Sequence, residues 1–91
     1  MISIEEMLRQ HIDDNILFSD NGYLYSDDDS FLENQILDSI NILELVLFLE
    51  EEFGIFIDDN EIVRDNFDSI IKLSCFTRYK MDPVSKSIDE H

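Results

Sequence analysis

Residues 36–57 of this 91-residue chain read ILDSINILELVLFLEEEFGIFI, and apolar residues recur within them at helical spacing. On a helix of 3.6 residues per turn, one face carries apolar residues at positions i, i+3, i+4, i+7 and i+11: Ile42, Leu45, Val46, Leu49 and Phe53. A helix over about residues 40–53 must bury this face against other helices, and Gly54 is suited to end it. The sequence therefore predicts a small all-α core built around this helix.

A second apolar stripe lies on the same helix, displaced from the first. It consists of three aliphatic residues bordered by three glutamates: Ile40, Leu43 and Leu47, with Glu44, Glu50 and Glu51. Aliphatic side chains interleaved with carboxylates are typical of a docking surface. A small helical core that buries both stripes fits the periodicity equally well. The spacing alone leaves these two explanations open.

The residues before this helix predict a first helix and a long loop. Ser3 and Glu6 match a capping box, and the helix runs from about residue 4 to 18 with an apolar face that ends at Phe18. The periodicity breaks over residues 19–37. Loops longer than about 12 to 15 residues are uncommon in compact domains unless they are functional. We therefore expect this loop to display something at its end.

The residues after Gly54 predict two shorter helices. Asp58 or Asp59 can cap a third helix near residues 60–64, and Asp68 can cap a fourth over about residues 69–80. Four residues share one face of this fourth helix: Ile70, Leu73, Phe76 and Thr77. Residues 1–80 are thus predicted to form one domain, an all-α four-helix bundle with a long loop between helices 1 and 2 and a short third helix. Residues 81–91 are predicted to form a polar, flexible tail.

The net charge of −16 is concentrated in the first two-thirds of the chain. Residues 1–63 contain one basic residue, Arg9, whereas residues 64–91 are neutral overall. An acidic surface of this kind repels phosphate backbones, which argues against nucleic-acid binding. The same surface attracts basic patches on other proteins, so basic protein partners are expected.

The sequence gives no sign of secretion or membrane insertion. Its N-terminus turns acidic within five residues, unlike a signal peptide, and no stretch reaches about 18 uncharged apolar residues. A single cysteine, Cys75, excludes an internal disulfide and fits a reducing compartment. We expect a cytoplasmic monomer.

Residue types that carry catalysis or bind metals are present without the spacing that such sites need. Cys75 could in principle pair with His11 or His91, but these residues are scattered along the chain. The acidic runs 27–29 and 58–60 lack the glycine and the distal glutamate of a calcium loop. The sequence therefore predicts no metal site and no enzymatic activity.

Ser39 is the candidate site that remains. Asp38 or Ser39 at a helix start is most simply explained as a cap, in which a side-chain oxygen accepts from free backbone N–H groups. The same end of a helix carries partial positive charge and unpaired donors, so it also favours a phosphate group. Capping and modification at this position are compatible.

The residues around Ser39 resemble the core of acyl carrier and peptidyl carrier proteins. The resemblance covers roughly residues 31–79, and the first helix agrees in length and position. The matching segments are Asp38-Ser39-Ile40, Leu43-Glu44-Leu45-Val46, residues 48–55, and Ile57, Asp59, Glu61 and Ile62 with residues 66–70.

The resemblance implies a four-helix bundle of the acyl-carrier type. It implies that Ser39, supported by Asp38, carries 4'-phosphopantetheine, which a phosphopantetheinyl transferase attaches from coenzyme A. The arm's thiol would then hold an acyl or aminoacyl group as a thioester and carry it between biosynthetic enzymes, while the protein itself catalyses nothing.

The resemblance also bears on partners and on subtype. Enzymes that load or use the cargo would contact the second helix through basic patches, at Ile40, Leu43, Glu44, Leu47, Glu50 and Glu51. Ile36 stands where many family members have glycine, which is similar to specialised stand-alone carriers. The alternative is an unmodified acidic helical interaction module of the same fold.

Overall fold

The computed structural model describes residues 2–19 and 22–82 of this protein, and these residues contain four α-helices and no β-strand. The helices are α1 (Ile4–Ile12), α2 (Ser39–Phe53), α3 (Arg64–Phe67) and α4 (Ile70–Met81). The all-α prediction with four helices is confirmed at this level. No helix in this described part is long and apolar enough to cross a membrane.

Helix α1 begins at a cap and ends in a wider turn. The Ser3 hydroxyl accepts a hydrogen bond from the Glu6 N–H at 3.1 Å. After Ile12 the backbone continues as a π-helix over Asp13–Leu17, and Phe18 then takes a left-handed conformation with φ of 53°. Because a π-helix shifts the phase of the side chains, Phe18 is turned outward and is 74% exposed. The prediction that Phe18 completes the apolar face is therefore wrong.

The described residues 22–38 form turns that are held against the helices. Phe31, Ile36 and Leu37 are buried in the core. The middle of the segment is also held by hydrogen bonds, since the Phe31 N–H donates to the Asp68 carbonyl oxygen at 2.8 Å and Arg9 forms two bonds of 2.8 Å to the Asp27 carboxylate. The segment that leads to α2 is thus fixed by packing.

The region between α2 and α4 differs from the predicted third helix. Residues Asp59–Glu61 form one 3-10 turn, closed by a capping box between Asp58 and Glu61, and α3 begins later, at Arg64. The predicted helix at residues 60–64 is therefore wrong in position. The reciprocal bonds between Asp58 and Glu61 complete a single turn, and Val63 is extended, so the chain starts a new helix after it.

The cap of α4 is also one residue away from its predicted place. The Ser69 hydroxyl accepts from the Lys72 N–H at 3.1 Å, whereas the predicted cap, Asp68, is buried and turned toward other partners. The helix extends to Met81, one residue beyond the predicted domain boundary. Pro83 and the rest of the predicted tail lie outside the described residues.

The core lies between α2 and α4, with α1 and α3 packed on α4. Six aliphatic side chains in it have no exposed surface: Leu8, Ile12, Leu45, Leu49, Ile70 and Leu73. Burying a side chain of this size contributes about 1.5–3 kcal/mol. The predicted apolar faces of α2 and α4 are both buried here, and this arrangement leaves the other side of α2 facing solvent.

Candidate functional site

The start of α2 is closed by Asp38, which lies just outside the helix. The backbone of Asp38 is extended, and its carboxylate accepts from the Asn41 N–H at 2.9 Å. The Asn41 side-chain oxygen in turn accepts from the Asp38 N–H at 3.1 Å. Of the two residues that the sequence offered as a cap, Asp38 performs this role, and Ser39 is left outside the capping box.

Ser39 is the first residue of α2, and it is exposed. Its hydroxyl makes no hydrogen bond to any residue in the ranges 2–19 and 22–82. The first N–H groups of an α-helix have no intrahelical acceptor, and they carry the positive end of the helix dipole. Ser39 therefore presents an oxygen to solvent where an attached negative group is stabilised.

The chain reaches this serine through a constrained approach. Gln35 has φ of 57°, in the left-handed region that residues other than glycine seldom adopt. The next two residues, Ile36 and Leu37, are buried. At Ile36 the backbone has no positive φ, so the position does not require glycine. An apolar side chain here anchors the segment before Ser39 in the core.

A cavity of about 270 Å³ opens beside Ser39, between α2 and the residues around α3. Apolar side chains form most of its lining: Leu32, Ile42, Leu43, Ile62, Val63 and Phe67. Ser39, Arg64 and Asp68 also line it. Sequence reasoning missed this cavity, although the apolar pair Ile62 and Val63 between two short helical turns is a signal that could have indicated it.

Asp68 fixes one side of this cavity. It is 4% exposed, and its carboxylate accepts from the Ser30 hydroxyl, from the Leu32 N–H at 3.0 Å and from Arg64 at 3.0 Å. Burial alone raises the pKa of a carboxyl group, but the bonds from Ser30, Leu32 and Arg64 outweigh burial and hold the pKa of Asp68 below its usual range. Asp68 thus links the segment before α2 to the turn before α4.

The two stripes of α2 have different surroundings. Four residues of the first stripe are buried, Ile42, Leu45, Val46 and Leu49, and Phe53 is partly buried. The three aliphatic residues of the second stripe are exposed: Ile40 by 74%, Leu43 by 54% and Leu47 by 60%. The core therefore does not bury the second stripe. This stripe and its glutamates are called the α2 surface below.

The three glutamates predicted for docking play unequal parts. Glu50 accepts a hydrogen bond from the Ile57 N–H at 2.9 Å and so holds the chain after the helix end. Glu44 lies 3.0 Å from the His11 ring nitrogen Nε2. Glu51 is exposed and forms no ion pair within the described ranges. The α2 surface thus contains one carboxylate engaged in a backbone contact, one held by a histidine and one free in solvent.

His11 and Cys75, the two described residues that were considered for nucleophilic chemistry, are not brought together. His11 contacts Asn15, Glu44 and Phe48, while Cys75 is exposed on α4 in a separate depression lined by Ile71, Lys72 and Tyr79 among others. His91 lies outside the described residues. In residues 2–19 and 22–82, no group of three or more His, Cys, Asp and Glu side chains is arranged to hold a metal ion.

Comparison with known proteins gives no match to any protein-family model, curated protein or solved structure. The functional interpretation therefore rests on the residues and on their geometry. Three features carry it: the free hydroxyl of Ser39, the apolar cavity beside it and the α2 surface that follows it.

Proposed function

We propose that this protein is a carrier of acyl or aminoacyl groups, which holds its cargo as a thioester on 4'-phosphopantetheine attached to Ser39. The proposal adopts the acyl-carrier arrangement for the four helices. Its main support is that two neighbouring residues have separate roles at the start of α2. Asp38 provides the cap, and the exposed Ser39 hydroxyl has no hydrogen bond to a described residue. A hydroxyl used as a cap would first have to leave its backbone partner.

The residues around Ser39 fit such an arm. A phosphodiester on its oxygen would lie at the positive end of the 15-residue helix α2, within reach of the free N–H groups of the first turn. When bound, the arm supplies a thiol that carries the acyl group as a thioester. The cavity of about 270 Å³ beside Ser39 offers apolar lining to an apolar part of the arm or cargo.

The α2 surface would receive the partner enzymes. These are a phosphopantetheinyl transferase and the enzymes that load and use the cargo, each with a basic patch opposite the carboxylates. Exposed aliphatic residues, Ile40, Leu43 and Leu47, supply the apolar contact, and Glu44 and Glu51 supply charge. Glu50 acts mainly through the Ile57 N–H, which keeps the end of α2 in shape.

The proposal is tested by incubating the protein with coenzyme A and a broad-specificity phosphopantetheinyl transferase, and then measuring its intact mass. The wild type should gain the mass of one arm, and Ser39→Ala should gain none. Ser3→Ala is a matched control, because Ser3 also stands at a helix start but uses its hydroxyl as the cap. This control should be modified at the wild-type rate.

An unmodified wild type in this experiment would contradict the carrier function. It would favour the alternative, an acidic interaction module that uses the α2 surface without an arm. A mass gain that persists in Ser39→Ala would show modification elsewhere and would also overturn the proposal.

A further inference from the structure

His11 joins α1 to the α2 surface. Its ring stacks on the Phe48 ring with 3.8 Å between centroids and 19° between planes. Its Nε2 lies 3.0 Å from Glu44 Oε1. The histidine side chain is 13% exposed and the glutamate side chain 47%. A partly buried ring of α1 therefore holds a carboxylate that stands between Leu43 and Leu47 in the exposed stripe.

The hydrogen bonds around the ring define which nitrogen carries the proton. The Asn15 side-chain nitrogen donates to the His11 carbonyl oxygen at 3.1 Å, which orients its amide, and it lies 3.2 Å from His11 Nδ1. An amide nitrogen is a donor, so Nδ1 acts as the acceptor. In the neutral ring the proton is then on Nε2, and it is donated to Glu44.

Protonation of the ring changes both contacts in opposite ways. Nδ1 becomes a donor facing the donor nitrogen of Asn15, so that contact is lost or requires the amide to turn. The bond to Glu44 becomes an ion pair, and the negative charge that this carboxylate presents to solvent is neutralised. The other charged groups near the ring are Asp14 in the π-helix after α1 and Glu52 on α2, which are exposed and line the same depression.

We propose that His11 is a positioning residue for partner docking, which orients the Glu44 carboxylate on the α2 surface and cancels its charge when the ring is protonated. This inference rests on the proposed function, since the α2 surface is the docking surface of the carrier. Association with a basic partner weakens as the pH falls, because attraction between complementary charges governs such encounters.

The test compares modification rates of the wild type and His11→Gln by a phosphopantetheinyl transferase between about pH 8 and pH 5.5, the range in which imidazoles change charge. Glutamine keeps an N–H donor near Glu44 but does not titrate. The ratio of the two kcat/KM values cancels the pH dependence of the transferase itself. We expect this ratio to fall by roughly two- to fivefold at low pH, the size of one exposed charge contact, with kcat unchanged.

A second comparison isolates the pair. In a Glu44→Gln background, the ratio of the proteins without and with His11→Gln should fall less at low pH, because a protonated ring there has lost the carboxylate that stabilises its charge. If the ratio of kcat/KM values stays constant with pH in the proteins that retain Glu44, the role of His11 is overturned. A fall of the same size in the Glu44→Gln background would overturn it too. No mass gain in any variant at any pH would instead contradict the carrier function, so the two failures are distinguishable.

Discussion

At the scale of single residues, the neighbours Asp38 and Ser39 show how one helix start can serve two purposes. A carboxylate and a hydroxyl can both cap a helix. A hydroxyl can instead serve as the attachment point of a covalent group. In this protein the Asp38 carboxylate accepts a hydrogen bond from the Asn41 N–H, and the Ser39 hydroxyl stays exposed. The two side chains should therefore respond differently to truncation.

Asp38→Ala should lower the free energy of unfolding by about 1 kcal/mol, since it removes the cap of α2. Ser39→Ala should change this free energy by less than about 0.5 kcal/mol, because the side chain that is removed is exposed and has no hydrogen bond to a described residue. Urea denaturation of both variants measures the difference. Equal losses would mean that Ser39 shares the capping role.

Asp68 is a buried carboxylate with three donors around it. Asp68→Ala should lower the free energy of unfolding by about 2–4 kcal/mol, because the Leu32 N–H and the Ser30 hydroxyl lose their acceptor. Asp65→Ala is the control, since Asp65 is exposed and should cost less than about 0.5 kcal/mol. Thermal or urea unfolding measures both. A loss at Asp68 no larger than that at Asp65 would contradict the bracing role of Asp68.

At the scale of elements, α2 divides its apolar residues between core and solvent. The spacing of the sequence identified both stripes, and their burial differs completely: Leu45 is 0% exposed and Leu47 60%. Two residues apart on one helix, these leucines offer a matched pair. The comparison tests the α2 surface without a change in residue type.

Leu45→Ala should lower the free energy of unfolding by about 2–5 kcal/mol, as expected for a cavity in a packed core. Leu47→Ala should change it by less than about 0.5 kcal/mol and instead slow modification at Ser39, because it removes apolar contact area from the docking surface. Denaturation curves and transferase kinetics provide the two measurements. A Leu47→Ala variant that is stable and modified at the wild-type rate would remove this residue from the docking surface.

The sequence predicted helices well where apolar residues recur over several turns. It predicted helix ends poorly where contacts between residues distant in sequence determine the structure. The buried faces of α2 and α4 followed from spacing alone. The cap of α4 did not, because Asp68 is drawn away by Ser30 and Leu32, which are distant in sequence. A local pattern of Asp-Ser before a helix cannot reveal which of the two residues has another partner.

The candidate site shows the same division. The sequence identified Ser39 from its position at a helix start and from the residues around it, but not that Asp38 alone would act as the cap. The cavity beside it forms where Leu32 and α3 approach α2, and the contact between His11 and Glu44 joins residues on two helices. Such juxtapositions depend on how helices pack, and single-sequence periodicity does not encode this.

At the scale of the whole molecule, the scarce basic residues are used to tie distant parts of the chain together. Arg78 of α4 forms two hydrogen bonds of 2.8 Å to the Glu5 carboxylate at the start of α1. Lys80 bonds to Glu61 at 2.9 Å. These pairs join the neutral last third of the chain to its acidic first two-thirds and leave the α2 surface acidic.

The pair between Glu5 and Arg78 should make one part of the stability depend on pH. The bonds from Arg78 lower the pKa of Glu5 from 4.5 to about 2. Because the folded-state pKa is depressed, this contribution is present above about pH 4.5 and is lost as the pH falls toward 2. Arg78→Gln should be less stable than the wild type by up to about 1 kcal/mol at pH 6, since the Arg78 side chain is 51% exposed and solvent screens the pair.

That difference should disappear near pH 2. Comparison of the two proteins at each pH cancels the relief of self-repulsion that both gain as carboxylates become protonated. Urea denaturation of the wild type and of Arg78→Gln between pH 6 and about pH 2 measures this difference in the free energy of unfolding. A difference that is absent at pH 6, or that persists unchanged at pH 2, would contradict the assignment of this pair.

The central claim is that Ser39 carries a phosphopantetheine arm, and the mass of the protein isolated from its own cells tests it most directly. Fragmentation of the peptide that contains Ser39 then locates any added group. The account predicts a molecule heavier by one arm, with or without cargo, and the added mass on Ser39. Protein with Ser39 unmodified throughout, from cells that contain a competent transferase, would contradict it.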